Sequence, residues 1–181
     1  VLFASDSTGA VDLELNPANP NEIYAAMWRV TRQPWTIISG MEHSGEEDGI
    51  WKSTDGGDTW RMVKEGLPTG LIGKIDLAVT AAAPNTVYAL VETTDPNEGL
   101  YRSNDFGETW EMVSNQRGIM NRPFYYTNVD VDPTDVEHVI INNEGMYESF
   151  DGGRTNQRKN TPHGDNHDVW INPDNPDIWV Q

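Results

Sequence analysis

Two histidines and two aspartates fall within six residues of the stretch TPHGDNHDVW, at His163, Asp165, His167 and Asp168. Imidazole and carboxylate together suit a divalent cation such as zinc or manganese, and a His–Asp pair also transfers protons. The H-x-x-x-H spacing lies in a loop, without the helical frame that makes it diagnostic, and no third ligand can be assigned. No metal and no other cofactor is therefore expected. Asp165, His167 and Asp168 stand as catalytic candidates and His163 as a ligand contact, beside the plainer role of building a turn with hydrogen bonds.

Two other stretches offer binding chemistry. Arg29–Asp48, RVTRQPWTIISGMEHSGEED, carries Arg29 and Arg32 as carboxylate ligands and Trp35 as a stacking surface, before an acidic tip at Glu46, Glu47 and Asp48. The alternative is that Trp28 and Trp35 pack between sheets while the tip is solvated. Ser114–Asn128, SNQRGIMNRPFYYTN, carries Arg117, Arg122, Phe124, Tyr125 and Tyr126. Side chains alternate along a strand, so three aromatics entering one must divide between faces. One tyrosine then lines an opening while its neighbour packs inside; Arg122, Tyr125 and Tyr126 are the ligand candidates.

The elements that position these loops repeat. STDGGDTW at Ser53–Trp60 recurs as SNDFGETW at Ser103–Trp110 and as SFDGGRTN at Ser149–Asn156, 50 and then 46 residues on. Each copy follows a short alternating strand, GIWKS, GLYRS or GMYES. An Asp accepts hydrogen bonds from backbone N–H groups further along a turn, a Gly takes the positive φ of a tight hairpin, and Thr-Trp opens the next strand. A second repeat precedes each copy: VDLELNPANPNEIYAA, IDLAVTAAAPNTVYAL, TNVDVDPTDVEHVIIN and HDVWINPDNPDIWVQ. Aligning Asp12, Asp76, Asn128 and Asp168 puts Tyr24, Tyr88, Ile140 and Val180 each 12 residues later. One supersecondary unit repeated gives such constant spacing.

The unit reads as four strands, placed in its first copy near Val11–Leu15, Glu22–Trp28, Gly49–Ser53 and Thr59–Val63. Three units span 11–63, 74–113 and 127–159, and 167–181 supplies half of a fourth. Helices should be nearly absent.

The pattern S-x-D-x-G-x-T-W resembles the Asp-box, or BNR repeat, of sialidases, xyloglucanases and sortilin-type receptors. The chain as a whole is similar to the sortilin-like and bacterial "glycosyl hydrolase" BNR-repeat proteins. The resemblance implies an all-β fold, a β-propeller of four-stranded antiparallel blades, here three and a half in an incomplete ring. The remaining blades then belong to the same polypeptide or to a second copy. It implies structural roles for Ser53, Asp55, Gly57, Thr59, Trp60, Ser103, Asp105, Gly107, Thr109, Trp110, Ser149, Asp151, Gly153 and Thr155. Asn156 stands where an aromatic is expected, so the third corner should be less well covered. It also implies an extracellular or periplasmic setting.

In such a blade the first and third turns share one face, so binding residues are expected on the opposite one, where the longer loops lie. Three functions fit: a segment binding polysaccharide or a protein partner, an Asp-box glycoside hydrolase completed by other blades, or a structural subunit of a larger assembly. A glycosidase needs two carboxyls about 5–5.5 Å apart for retention or about 6.5–9.5 Å for inversion. Asp165 or Asp168 facing Glu42, Glu46 or Asp130 would supply them. Alternation puts Asp130 and Asp132 on one strand face near the channel, or in the strand-ending turn. A formal charge of −17 argues against nucleic-acid backbones and anionic membranes as partners. No apolar run reaches the length of a membrane span, and the absence of Cys excludes disulfides and thiolate chemistry.

Overall fold

The computed structural model describes residues 1–33, 36–39 and 47–181. Its first sheet holds β1 (Thr8–Leu15), β2 (Ile23–Gln33), β3 (Thr36–Ser39), β4 (Gly49–Ser53) and β5 (Arg61–Val63). The order is β1-β2-β4-β5, with β3 paired to the far end of β2. The second runs in simple order through β6 (Ile72–Val79), β7 (Val87–Thr93), β8 (Gly99–Ser103) and β9 (Glu111–Ser114). The third repeats it with β10 (Asn128–Val131), β11 (Val139–Asn142), β12 (Met146–Ser149) and β13 (Gln157–Lys159). Strands β14 (Trp170–Ile171) and β15 (Trp179–Val180) pair as the half-sheet that follows. All pairs are antiparallel. Among the described residues the helical content is one 3-10 turn, Arg117–Met120. The fold is a β-propeller of three and a half blades.

The stretch from Arg29 to Asp48 is not one irregular loop. Its first residues extend β2 to Gln33 and turn back as β3, because V-T-R-Q and T-I-I-S are β-branched enough to pair.

Blades stack face to face, and the core is divided among the seams. Tyr24, Ala26 and Ile50 of the first blade meet Ile75, Leu77, Val87, Ala89 and Val91 of the second. Tyr88, Leu90 and Leu100 then face Val129, Val139 and Ile141 of the third. Strand β7 is buried at every residue because its alternate side chains enter different seams. The open front of the first blade shows the same constraint in reverse. Leu13 is 55% exposed, whereas its counterparts Leu77, Val129 and Val169, each covered by a preceding blade, are 2%, 3% and 5% exposed.

The three S-x-D-x-G-x-T corners have one geometry. In the first, Ser53 Oγ donates to Asp55 Oδ1 at 2.8 Å and accepts from Gly57 N at 2.9 Å. Thr59 donates twice to the same carboxylate, from N at 2.9 Å and from Oγ1 at 2.6 Å. Asp105 and Asp151 receive the matching bonds from Ser103 and Thr109 and from Ser149 and Thr155. Gly57, Gly107 and Gly153 take φ values of 91°, 76° and 82°. Each corner also donates one backbone N–H to the first turn of its own blade: Gly56 to Asn21 O, Phe106 to Asn85 O and Gly152 to Glu137 O, at 2.8–2.9 Å. First and third turns therefore share a face, and the loops of interest lie on the other.

The third corner is covered, contrary to the expectation from Asn156. Trp60 and Trp110 donate Nε1–H to Gly57 O and Gly107 O at 2.9 and 3.1 Å. Asn156 is 8% exposed and its Nδ2 donates to Gly153 O at 2.8 Å and to Ser114 Oγ at 3.2 Å. The amide thus replaces the indole donor, while Leu100 of the preceding blade covers Gly153.

Seams carry polar ties on the corner face. Lys52, 3% exposed, bridges Glu22 at 2.6 Å and Glu108 of the next blade at 2.9 Å and donates to Phe106 O at 2.6 Å. Arg102, at the same place in the second blade, bridges Glu137 of the third at 2.8 Å. The third blade has Glu148 there, which holds buried His138 and Lys159 instead.

A Cβ on Gly153 would lie 2.1 Å from Leu100 Cδ2, whereas one on Gly57 meets nothing nearer than 3.6 Å. Both sites are strained for alanine by φ. Gly57→Ala should cost about 1–3 kcal/mol from strain alone, and Gly153→Ala about 1–3 kcal/mol more from overpacking at the seam. Urea unfolding of the two variants checks the difference, and equal losses would mean that the corner does not seat against the neighbouring blade.

Candidate functional site

On the loop face, two segments far apart in sequence are held together by one buried asparagine. Asn143, fully buried, follows β11 and donates Nδ2–H to Gly118 O at 3.2 Å and Ile119 O at 2.9 Å. Those carbonyls belong to the 3-10 turn that carries the Ser114–Asn128 connection, anchored by buried Ile119 and Met120. The carbonyl of Asn143 accepts from Asn166 N at 2.8 Å, which fixes the 160–168 connection beside it. Asn143 Oδ1 accepts from Gly145 N at 2.9 Å, closing its own turn. Sequence reasoning missed this residue; its only local signal is the turn-forming run NNEG.

The segments meet at Tyr126, whose hydroxyl donates to Asp165 Oδ1 at 2.6 Å. That bond, first among the causes, raises the tyrosine's pKa. Tyr126 is buried, while Tyr125 and Phe124 are 56% and 44% exposed, so the aromatic run divides between faces. The rings of Tyr125, Tyr126 and His167 pack edge to face, with centroids 4.9–5.9 Å apart. Arg122 lies alongside, its Nε 3.0 Å from Glu144 Oε1 and its Nη1 3.5 Å from Tyr126 Oη. Arg122 and Asp165 both sit at left-handed φ, 53° and 62°. For non-glycine residues that conformation is uncommon and persists where the surrounding structure holds it; Phe106 of the second corner shares it at 63°. Together these groups form an exposed aromatic platform edged by a guanidinium and carboxylates, suited to stacking on a sugar ring or an extended peptide and to binding polar groups at its rim.

The other candidates lie apart from this cluster. His163 is exposed, its Nδ1 2.5 Å from Gly164 O within a local turn. Arg29 lies within β2, where its N–H donates to Asp48 Oδ1 at 2.6 Å. The side chain of Arg32 and all of Trp35, Glu42 and Glu46 fall outside the described residues. No group of three or more His, Asp or Glu suited to a metal ion occurs among the described residues.

Asp168 belongs electrostatically to a second group, along the innermost strands. Asp12 accepts from Leu77 N of the next blade at 2.7 Å, and Asp76 accepts from Val129 N of the blade after at 2.8 Å. These inner acids tie blade to blade but crowd one another. Burial, then the charges of Asp12, Asp76 and Asp130, pushes Glu14 up to about 8. Burial, then Asp168, Asp76 and Asp12, pushes Asp130 to about 8. Asp76 rises to about 7, by burial first and Asp12 second. Lys74 Nζ, 3.9 Å from Asp76, offsets part of this. Asp132 instead ends its strand, accepting from Thr134 N at 2.7 Å and facing His138 Nδ1 at 3.0 Å.

No family model and no curated protein matches the chain. Among solved structures it is similar to an ancestral GH74 enzyme, with a TM-score of 0.64 and 16% identity over 93% of this chain and 23% of that one. It is also similar to YCF48 from Cyanidioschyzon merolae, with a TM-score of 0.53 and 13% identity over 84% of this chain and 37% of that one. YCF48 bound to D1 peptide gives 0.52 and 11% over 86% and 45%. The chain spans less than half the length of each. At such identities the likeness is one of fold, and that fold is the β-propeller.

The raised carboxyls give stability a definite pH dependence. Unfolded carboxyls titrate near about 4, so between about pH 4 and pH 8 the folded chain keeps protons that the unfolded chain releases, and stability falls as pH rises. Asp130→Asn should raise Tm more at about pH 8 than at about pH 4. Thermal melts across that range check it; a gain independent of pH would contradict the crowding.

Proposed function

We propose that this chain is part of a binding propeller whose loop face takes polysaccharide or a protein partner through Phe124, Tyr125, Arg122 and the edge of His167. The observation that carries the reading is the meeting of two distant connections around Tyr126–Asp165, with two non-glycine residues strained at the junction. Left-handed φ at a non-glycine residue also occurs on the corner face, at Phe106 (63°), so it is the joining of two distant connections, and not the strain alone, that supports the reading. The corners are of the Asp-box type, and an extracellular or periplasmic setting suits both a glycan ligand and an acidic surface. The solved YCF48 complex, a propeller with a bound peptide, supports a protein partner as one of the two ligand classes. No described helix is long and apolar enough to cross a membrane.

A second reading, glycoside hydrolysis, is favoured by one observation. Glu14 and Asp130 hold protons up to about 8 next to other carboxyls on the inner strands, and a glycosidase needs one protonated and one ionised carboxyl in the same site.

Tyr125→Ala and Arg122→Ala, made in the complete protein, should each weaken binding to the glycan or peptide retained on an array by about tenfold or more. Unchanged affinity in both would overturn the binding reading. Asp130→Asn, Asp165→Asn and Asp168→Asn test the second: loss of turnover on a glycan panel supports it, and turnover unchanged in all three removes these residues from any hydrolysis.

A further inference from the structure

Three positions of matching register carry different chemistry from blade to blade. They are the residue after the inner strand, the residue before the second strand and the residue before the corner serine. The first blade has Asn16, Glu22 and Lys52 there, with Asn16 Nδ2 donating to Glu22 Oε2 at 2.8 Å and Lys52 Nζ 2.6 Å from Glu22 Oε1. The second has Thr80, Thr86 and Arg102, and Arg102 pairs with Glu137 across the seam. The third has Asp132, His138 and Glu148. Reversal of sign at Glu148 is thus matched by a base, His138, where the first blade has an acid.

His138 is buried, with Nδ1 3.0 Å from Asp132 Oδ2 and Nε2 3.1 Å from Glu148 Oε1. Both ring nitrogens face acceptors, so both bonds exist only when each nitrogen carries a hydrogen, which is the imidazolium. Asp132 follows β10, Glu148 lies in β12, and Lys159 of β13 holds the other Glu148 oxygen at 2.6 Å. Glu137, the preceding residue, turns away to Arg102. Rings close the remaining sides: Phe150 is stacked on the imidazole at 4.5 Å, and Trp179 of β15 lies at 5.6 Å. Burial is the largest single influence on Asp132 and raises it, yet the bonds from Thr134 and His138 together hold it below the ordinary carboxylate range. An imidazolium and an ammonium against two carboxylates make a neutral cluster. Without the imidazole proton the cluster is left with a net negative charge, and one buried carboxylate oxygen faces a lone pair instead of a donor.

We propose that His138 is a proton-operated clamp on the third seam, holding β14 and β15 to the third blade while the ring is protonated and loosening them as pH rises. The sign follows from the contacts. Two bonds and a neutral cluster exist with the proton and are lost with it, so the seam weakens on deprotonation. Imidazole is the side chain whose ordinary titration falls between about pH 5 and pH 8. Lysine and glutamate ordinarily titrate outside that range, so the tie in the first blade has no such response. The clamp sits on the corner face and does not depend on the reading of the Tyr125 platform.

Two measurements on the chain test it. The Cε1–H resonance of His138, assigned through its contacts to Phe150 and Trp179, should titrate between about pH 5 and pH 9. Amide exchange of β14 and β15, corrected for intrinsic rates, should then be compared with that of His138→Gln. The inner-strand acids also weaken the chain as pH rises, so the readout is the ratio of protection in the unaltered chain to protection in the variant at the same pH. Loss of one charge-assisted bond should lower that ratio about tenfold between about pH 5.5 and pH 8.5. A ratio that stays constant would overturn the clamp. A His138 resonance that does not titrate in this range would overturn it as well, and that result needs no variant to fold.

Discussion

One carboxylate per blade governs the architecture. Asp55, Asp105 and Asp151 each collect a serine hydroxyl, a threonine hydroxyl and a threonine N–H. These bonds satisfy an anion at the surface and hold two successive residues at left-handed φ, Gly56 and Gly57 in the first corner. The threonine bonds are the largest influence on Asp55 and hold it at about 2; at Asp105 burial is the largest single influence and raises it, yet the bonds from Thr109 and Ser103 together bring it to about 2. The corner so formed donates a backbone N–H to the first turn of the same blade, and in the second and third blades it presses its glycine against the preceding blade. Hairpin, blade and seam thus share one local knot.

The seams repeat in position but not in charge. Lys52 and Arg102 occupy the residue before the corner serine and reach acids of the following blade. A buried cation bonded on several sides is costly to strand, so each pair also fixes how its two blades meet. At the third seam Glu148 reverses the sign, and His138 sits between it and Asp132 at 3.1 and 3.0 Å, stacked on Phe150 with centroids 4.5 Å apart. The same backbone frame therefore accepts opposite electrostatics, provided every buried charge keeps a partner.

That frame separates structural acids from displayed chemistry. Corner carboxylates are satisfied and ionised on one face, and inner-strand acids tie blades near the axis at the cost of mutual repulsion. The loop face is left free to vary. There Asn143 draws together two connections that share no local sequence pattern, and the result is an aromatic platform at one seam.

The amino-acid sequence by itself determined whatever rests on contacts within a few residues. Strand alternation, Asp–Thr spacing and corner glycines announce the hairpins, and the 12-residue interval between inner and second strands announces the repeating sheet. Tyr125 and Tyr126 do divide between outside and inside, but through the turn on Arg122 O that precedes β10 and not through strand alternation. Only tertiary structure decided which loops meet, because Tyr126 and Asp165 are 39 residues apart and Asn143 acts through carbonyls 24 and 25 residues before it. It also decided that Asn156 does the work of a tryptophan, since the preceding blade supplies the cover. The grouping of Asp168 with Asp130 and Asp76 rather than with His167 has the same origin: Coulomb repulsion and burial depend on distance across blades, which no linear spacing records.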